Sequence, residues 1–168
     1  PAGLSELKNL SVMCSLENKY GIEGFNTMGA GVISNIKVGT IGASVFKFGD
    51  DLYNEQILSL AYSNKFGIAS LGMKANYLQY NIEGFGSKGV VSIDFGGIAT
   101  ITDELIFGAY IRNINQAKVA ELAEERAPTL LNAGLSYRPL EKLHLNFEAE
   151  KDLDYNATLR VGMEYMIL

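Results

Sequence analysis

The sequence of 168 residues is poor in the residues that carry most protein chemistry: it has one cysteine, one histidine, three prolines and no tryptophan. The lone Cys14 excludes an internal disulfide and any metal site built from several cysteines. No stretch approaches the roughly 18 uninterrupted apolar residues of a membrane-spanning helix. The net charge of −5 argues against a nucleic acid partner, because phosphate binding requires a basic surface.

Recognisable catalytic and cofactor motifs are missing too. His144 has no Ser or Cys at a motif spacing, and no glycine-rich phosphate loop of the Walker type is present. The triplet Asp94-Phe95-Gly96 lies inside an alternating segment without a catalytic loop upstream, so it is not a kinase signature. We therefore predict no catalytic, cofactor-binding or metal-binding residues and no enzymatic activity.

What the sequence does have is a strict alternation of apolar and polar residues, clearest over its last forty positions. Leu131, Ala133, Leu135 and Tyr137 are separated by polar or small residues, and the same pattern returns in 143–150 and 157–167. A period of two puts one set of side chains on each face of a β-strand. Such strands suit either a soluble β-sandwich or a membrane-spanning β-barrel.

The whole chain divides into ten such segments. We predict strands at 10–20, 25–34, 38–48, 55–65, 68–80, 88–100, 105–115, 129–138, 143–151 and 156–167. Most span more residues than the ~5–6 of a typical globular strand and match the ~9–11 of a tilted membrane strand. We therefore predict one all-β domain over residues 1–168, an antiparallel up-and-down transmembrane β-barrel of about ten strands, either complete in itself or part of a larger barrel.

The predicted connections support this architecture because they alternate in length. Every second connection is a tight turn: 35–37, 65–67, 103–104 and 139–142. The intervening connections are mostly longer and richer in charge and glycine: 21–24, 49–54, 81–87, 116–128 and 152–155. Outer-membrane barrels combine short periplasmic turns with longer extracellular loops.

Two groups of residues are the candidate functional sites. Charged residues on the polar faces of the last three strands predict a lumen polar cluster of Arg138, His144, Glu148, Arg160 and Glu164. The longest loop contains a helix-like segment, 117–126, rich in Ala, Glu and Leu. Its candidate partner-contact residues are Val119, Glu121, Leu122, Glu124 and Glu125.

Three stretches together resemble a known family. Pro1–Leu4 resembles the Asn-Pro-Ala-Gly-Leu motif of FadL-like outer-membrane proteins and of the PorV/PorQ group. Ala127–Pro139 resembles the strand of that group in which a proline is followed by Gly-x-x-Tyr. Leu143–Lys151 and Leu159–Tyr165 resemble its next two strands, which end in Gly-x-Glu-Tyr.

The resemblance implies a barrel in the outer membrane of Bacteroidota-type bacteria. In the PorV/PorQ group it implies an accessory or docking subunit of type IX protein secretion, with the lipid bilayer and other secretion-complex proteins as partners. In FadL relatives it implies a carrier of hydrophobic small molecules. A soluble β-barrel or sandwich that binds a partner is the remaining alternative. The chain starts at Pro1 without Met, so either a leader has been removed or the sequence is a stretch of a longer chain.

Overall fold

The computed structural model describes residues 1–7, 9–18, 21, 24–118 and 127–167. It is an all-β protein in which ten strands form one antiparallel sheet in the order of the chain. The strands are β1 (Ser11–Asn18), β2 (Asn26–Ile36), β3 (Gly39–Gly49), β4 (Tyr53–Phe66), β5 (Ala69–Ile82), β6 (Gly86–Thr100), β7 (Leu105–Arg112), β8 (Leu130–Leu140), β9 (Leu143–Asp152) and β10 (Thr158–Tyr165). One short 3-10 helix, Ala2–Glu6, precedes β1.

The predicted number, order and antiparallel pairing of the strands are confirmed. Each strand pairs with the next one along the chain, so the sheet is an up-and-down meander. Within the described residues β1 pairs with β2 alone and β10 with β9 alone, and the sheet is therefore open. No helix in the described part of the chain is long and apolar enough to cross a membrane.

The register of the strands divides the side chains into two faces. Residues paired across neighbouring strands share a face, and the inner face is the one that carries Ser63, Ser70, Asn76, Asp94 and Asn132. The 3-10 helix packs on this inner face, against β3 to β6. The outer face carries the opposite set of residues.

Burial in this sheet is reversed relative to a water-soluble protein. Among the described residues, only four hydrophobic residues are buried, whereas eleven polar or charged residues are buried. Most of these eleven lie on the inner face. Outer-face Leu58, Leu60, Val91 and Val161 are instead more than half exposed. Soluble proteins bury their aliphatic residues most often and rarely bury charged ones. The polar face is thus the interior of this fold.

One predicted loop is a tight turn. The sequence suggests a loop over 81–87, but Asn81 pairs with Ser87 and Ile82 with Gly86, so the connection between β5 and β6 is only 83–85. Gly84 and Gly86 have φ angles of 77° and 87°. Glycine adopts this left-handed region without a steric penalty, which lets the chain reverse sharply here.

The last strand before the longest loop also ends earlier than predicted. The alternation suggests a strand to residue 115, whereas β7 ends at Arg112. Asn113 has a φ of 54°, which breaks the extended conformation, and asparagine tolerates this region better than most residues. The chain beyond it forms the base of the loop between β7 and β8.

The structure describes only the first two residues of the helix-like segment predicted over 117–126. Ala117 and Lys118 are not helical, and the N–H of Ala127 donates to the carbonyl of Ala117 at 2.9 Å. This bond joins the two ends of the segment. Residues 119–126 lie outside the described residues.

The 3-10 helix is the element that the alternation did not reveal. The Ser63 hydroxyl donates to the Ala2 carbonyl at 3.0 Å, and Lys65 forms an ion pair with Glu6 at 3.0 Å. The Ser70 hydroxyl also donates to Glu6, at 3.0 Å. These contacts hold the helix at the end of the inner face where the short turns lie, which we call the turn end; the opposite end is the loop end.

We predict that Gly72→Ala loosens this docking. A Cβ at Gly72 would lie 2.5 Å from the backbone nitrogen of Ala2, whereas a Cβ at Gly108, on the same face, meets nothing closer than 3.8 Å. Overpacking of this kind costs roughly 1–3 kcal/mol. Urea unfolding should show lower stability for Gly72→Ala and near-normal stability for Gly108→Ala. Equal stabilities would contradict the docking of the helix on Gly72.

Candidate functional site

Asp94 organises the most buried polar network on the inner face. Its side chain is only 5% exposed, and it forms an ion pair with Lys74 at 3.2 Å. The Asn76 amide donates to the same carboxylate at 3.0 Å, and Asn76 in turn accepts from Ser59 at 2.7 Å. A buried carboxylate is stable only when it is paired and hydrogen-bonded, and these neighbours meet that condition.

The second oxygen of Asp94 extends the network to the loop between β7 and β8. It accepts the backbone N–H of Asn113 at 3.0 Å. The Asn113 side chain donates to the Ala127 carbonyl at 2.7 Å and accepts from the N–H of Ala117 at 2.9 Å. Thr129 donates its hydroxyl to the Asn113 carbonyl at 3.2 Å. One buried asparagine thereby ties both ends of the loop to the wall of the sheet.

A second charged cluster lies on the inner face of β8, β9 and β10. The Arg160 guanidinium forms ion pairs with Glu148 at 3.0 Å and with Glu150 at 2.8 Å. With its amide nitrogen facing these carboxylates, Asn132 donates to Glu148 at 3.0 Å and to Glu150 at 3.1 Å, and it accepts from the Tyr110 hydroxyl at 3.2 Å. Arg160 is 51% exposed and Glu148 45%, so this cluster is half solvated.

The predicted lumen cluster is only partly assembled. Glu148 and Arg160 are in contact, while His144 and Glu164 are register partners nearer the turn end. Arg138 lies between Tyr137 and Leu140, where the register of β8 with β9 shifts, and its backbone N–H donates to the Glu104 carbonyl at 2.7 Å.

Sequence reasoning did not identify Asn113 or the hydrogen-bonding role of Asp94. The position of Asp94 on a polar face was readable from the alternation, but its contact with a loop residue depends on how β7 ends. The candidate partner-contact residues Val119, Glu121, Leu122, Glu124 and Glu125 lie outside the described residues. The structure does describe the residues that flank them, and Ala117 and Ala127 are joined there by a backbone hydrogen bond.

The inner face also carries an open cavity of about 730 Å³. Its lining includes Pro1–Gly3 and, on β9, Asn146 and Glu148. The floor is built from five strands and includes glycine on β6, β7 and β8. Lys74, Asp94, Arg112, Tyr110 and Asn132 supply polar groups along it.

The buried polar side chains of the inner face form hydrogen bonds with other parts of the protein. Among the described residues, no buried side-chain nitrogen or oxygen lacks a hydrogen-bond partner. The described residues also contain no group of three His, Cys, Asp or Glu side chains that could hold a metal ion. The buried polar side chains of the described inner face are therefore hydrogen-bonded within the protein.

No protein-family model, curated protein or solved structure matches this chain.

We predict that Asp94→Ala destabilises the fold, because it leaves Lys74, Asn76 and the buried N–H of Asn113 without their shared acceptor. Each buried group that loses its partner costs roughly 1–3 kcal/mol. Removing the exposed ion pair by Lys65→Ala should cost about 1 kcal/mol or less. Urea unfolding would measure both variants.

The same variant should also loosen the loop base. Lys118 is exposed, so trypsin cleavage after it reports on the anchoring of the adjacent chain. We expect faster cleavage in Asp94→Ala than in Lys65→Ala. An unchanged rate together with unchanged stability would contradict the organising role of Asp94.

Proposed function

We propose that this protein is a non-enzymatic, membrane-spanning β-barrel of a bacterial outer membrane that serves as an accessory or docking subunit of a type IX-like secretion complex. The observation that carries the membrane assignment is the reversed burial of the sheet, with polar groups inside and aliphatic side chains outside. Water penalises exposed apolar area by about 25 cal/mol per Å². Lipid removes that penalty, so an exposed apolar face is stable in a bilayer.

The distribution of charge supports the same assignment. Up to the register shift in β8, the outer-face positions of the described strands contain two charged residues, Lys47 and Lys151. Both lie near the loop end of the sheet, where long lysine side chains reach an aqueous interface. The inner face carries many more charges, including Glu17, Lys74 and Arg160.

The apolar outer face has limits that match a bilayer. On β4 it extends from Gln56 to Asn64, eight residues apart, with Leu58, Leu60 and Tyr62 between them. Eight residues span about 27 Å along a strand, or roughly 20 Å across a bilayer at a tilt of 35–45°. Outer-membrane barrels carry an apolar band ~25 Å tall.

A ladder of amides closes this band at the loop end. Gln56 donates to Asn54 at 3.1 Å, Asn81 donates to Asn54 at 2.7 Å, and Gln79 donates to Asn81 at 3.1 Å. These side chains satisfy one another across β4 and β5. Polar groups of this kind suit the boundary between hydrocarbon and water.

The docking role rests on the resemblance to the PorV/PorQ group and on the loop between β7 and β8. Recognition sites are common on loops that a rigid scaffold holds in place. Asn113 and Thr129 hold the two ends of this loop against the sheet through buried hydrogen bonds. The base of this loop is thus fixed to the sheet.

Charge on the outer face provides a discriminating test. Leu60 is 63% exposed, and in a soluble protein Leu60→Arg would change stability by about 0.5 kcal/mol or less. In a bilayer it costs ~2–4 kcal/mol near the midplane. We predict that Leu60→Arg prevents assembly into the membrane, measured by the heat-modifiable gel mobility of the envelope fraction. Leu145→Arg and Leu159→Arg, on the same face, should act alike.

The matched control is Phe85→Arg. Phe85 is 89% exposed, but it lies in the turn between β5 and β6 rather than on the apolar band. Normal assembly of this variant would show that a new arginine is harmful only on the band. Normal assembly of Leu60→Arg would count against the membrane assignment and favour a soluble β-sheet protein.

The docking role has its own test. We predict that replacing Val119–Glu125 with a Gly-Ser sequence of equal length leaves the heat-modifiable barrel intact, because the described loop base closes on itself through Ala117 and Ala127. Co-purification with outer-membrane secretion proteins should be lost. Tyr155→Ser, in the neighbouring connection, is the control. Retained co-purification would exclude this loop as the contact.

A carrier of hydrophobic small molecules is the second candidate function, and the cavity of about 730 Å³ favours it. Binding pockets of about 300–1,000 Å³ hold drug-sized ligands. The ion pair of Lys74 and Asp94 and the carboxylate of Glu148 lie in its wall, however, and an apolar ligand would have to desolvate them. We therefore rank docking above transport.

A further inference from the structure

The outer face carries an open hollow of about 480 Å³ on β1 to β4. Its lining includes two neighbouring rows of register partners. The row nearer the middle of the strands consists of Cys14, Ala30, Val45 and Leu58. Cys14 and Ala30 have short side chains, which leaves space between the larger aliphatic ones. The volume lies within the roughly 300–1,000 Å³ that small-molecule sites occupy.

The row nearer the loop end changes from apolar to polar across the strands. It consists of Leu16, Met28, Lys47 and Gln56. Leu16 and Met28 are both exposed on the apolar side of this row. The hollow therefore combines an aliphatic lining with one ammonium group and one amide at its loop end.

Lys47 brings a partly buried cation to this hollow. Within the described part of the chain, its amine forms no ion pair and no side-chain hydrogen bond. Asp50 and Asp51 line an adjoining hollow toward the loop end. The Asp50 carboxylate accepts the backbone N–H groups of Leu52 and Tyr53, at 2.9 and 3.0 Å. An ammonium group that is partly withdrawn from water, without a counterion, favours an anionic ligand.

The other outer-face lysine is engaged within the protein. Lys151 also lies near the loop end, but its ammonium group donates to the Tyr155 carbonyl. Lys47 and Lys151 therefore share a face and a distance from the interface, and they differ in their bonding partners. Lys151 is the natural reference for any property that is specific to Lys47.

Gln56 adds a second polar group to the loop end of the hollow. It is the register partner of Lys47 on the neighbouring strand. Its amide nitrogen donates to Asn54 at 3.1 Å. A side-chain amide carries two N–H donors, so one remains on a residue that shares the row with Lys47. Phosphate oxygens accept hydrogen bonds from ammonium and from amide groups.

We propose that this hollow binds one anionic membrane lipid, with an acyl chain on the aliphatic lining and the headgroup phosphate at Lys47 and Gln56. The inference rests on the membrane location proposed above, because it requires the outer face to meet lipid. A bilayer presents this combination of groups, an apolar chain joined to a charged phosphate at the interface. Lysine side chains near the edge of an apolar band reach that depth.

Charge also argues against a second copy of this chain as the occupant. Up to the register shift in β8, the charged residues on the outer face of the described strands are both lysines. The apolar band of another copy would therefore bring no anion to Lys47. A lipid phosphate supplies the missing negative charge while its acyl chain covers the aliphatic residues.

The single cysteine of the chain reports on occupancy, because Cys14 is exposed and lies in the lining. With the protein purified in detergent, we expect dioleoyl phosphatidylglycerol to slow the reaction of Cys14 with N-ethylmaleimide. Dioleoyl phosphatidylcholine has the same acyl chains but no net charge, and it should need a roughly fivefold higher concentration for the same protection. Native mass spectrometry should show one retained phosphatidylglycerol molecule.

Matched variants locate the two parts of the site. Lys47→Gln should abolish the preference for the anionic lipid and Lys47→Arg should keep it, whereas Lys151→Gln should leave it unchanged. Ala30→Leu fills the hollow and should reduce the retention of both lipids in the mass spectrum. Ala75→Leu, on the outer face of β5 and outside this lining, should not.

The outcomes separate this site from the membrane assignment. Equal protection by the two lipids, or none, in heat-modifiable protein from the envelope would overturn the lipid site alone. A preference lost equally in Lys47→Gln and Lys151→Gln would overturn the location at Lys47. Dimers in place of bound lipid would overturn the proposal and indicate a second copy on this face. Absence of the unsubstituted protein from the envelope fraction would contradict the membrane role itself.

Discussion

The constraint on which the rest of the structure depends is the backbone pairing of ten consecutive strands whose polar side chains share one face. Once hydrogen bonding fixes the register, every residue is assigned to the inner or the outer face. The inner face then collects nearly all the charge and the outer face the aliphatic side chains. Each local feature, from the ion pairs to the docked 3-10 helix, is a way of satisfying polar groups that this assignment turns inward.

The inner face is satisfied by two networks with different environments. Asp94 is almost completely buried and bonded on both oxygens, so it is a fixed structural centre. Arg160 and Glu148 are half exposed, and ion pairs of that kind contribute little to stability in water.

The link from Asp94 to Asn113 joins the interior of the sheet to its longest loop. Asp94 holds the backbone of Asn113, and the Asn113 side chain holds both ends of the loop. The conformation of the loop base therefore depends on the position of a residue inside the sheet. A docking loop benefits from this arrangement, because less ordering entropy is lost on binding when the base is already fixed.

The sequence alone was sufficient for the ten strands because period-two alternation determines face as well as strand, and no helix competed with it. It was insufficient wherever a single residue takes the backbone out of the extended conformation. The φ angle of Asn113 ended β7 early, and Gly84 and Gly86 reduced a loop to a turn. The alternation likewise did not reveal the register shift between Tyr137 and Leu140, where Arg138 lies.

The 3-10 helix illustrates a different limit. Ala2–Glu6 is too short to show a helical period, and its position is determined by contacts with residues some sixty positions away, such as Ser63 and Lys65. Long-range docking of this kind leaves no periodic signal. The sequence does show a glycine at position 72. Its role becomes clear only in the structure, where the Ala2 backbone packs directly against it.

The way the inner face is filled also bears on function. A carrier for apolar solutes needs a continuous path lined by groups that an apolar ligand can contact without desolvating charge. Here the 3-10 helix occupies the turn end, and the Lys74–Asp94 pair borders the cavity that remains. Since an apolar ligand there would have to desolvate this ion pair, the polar lining argues against a passage for apolar solutes and is consistent with the proposed docking role.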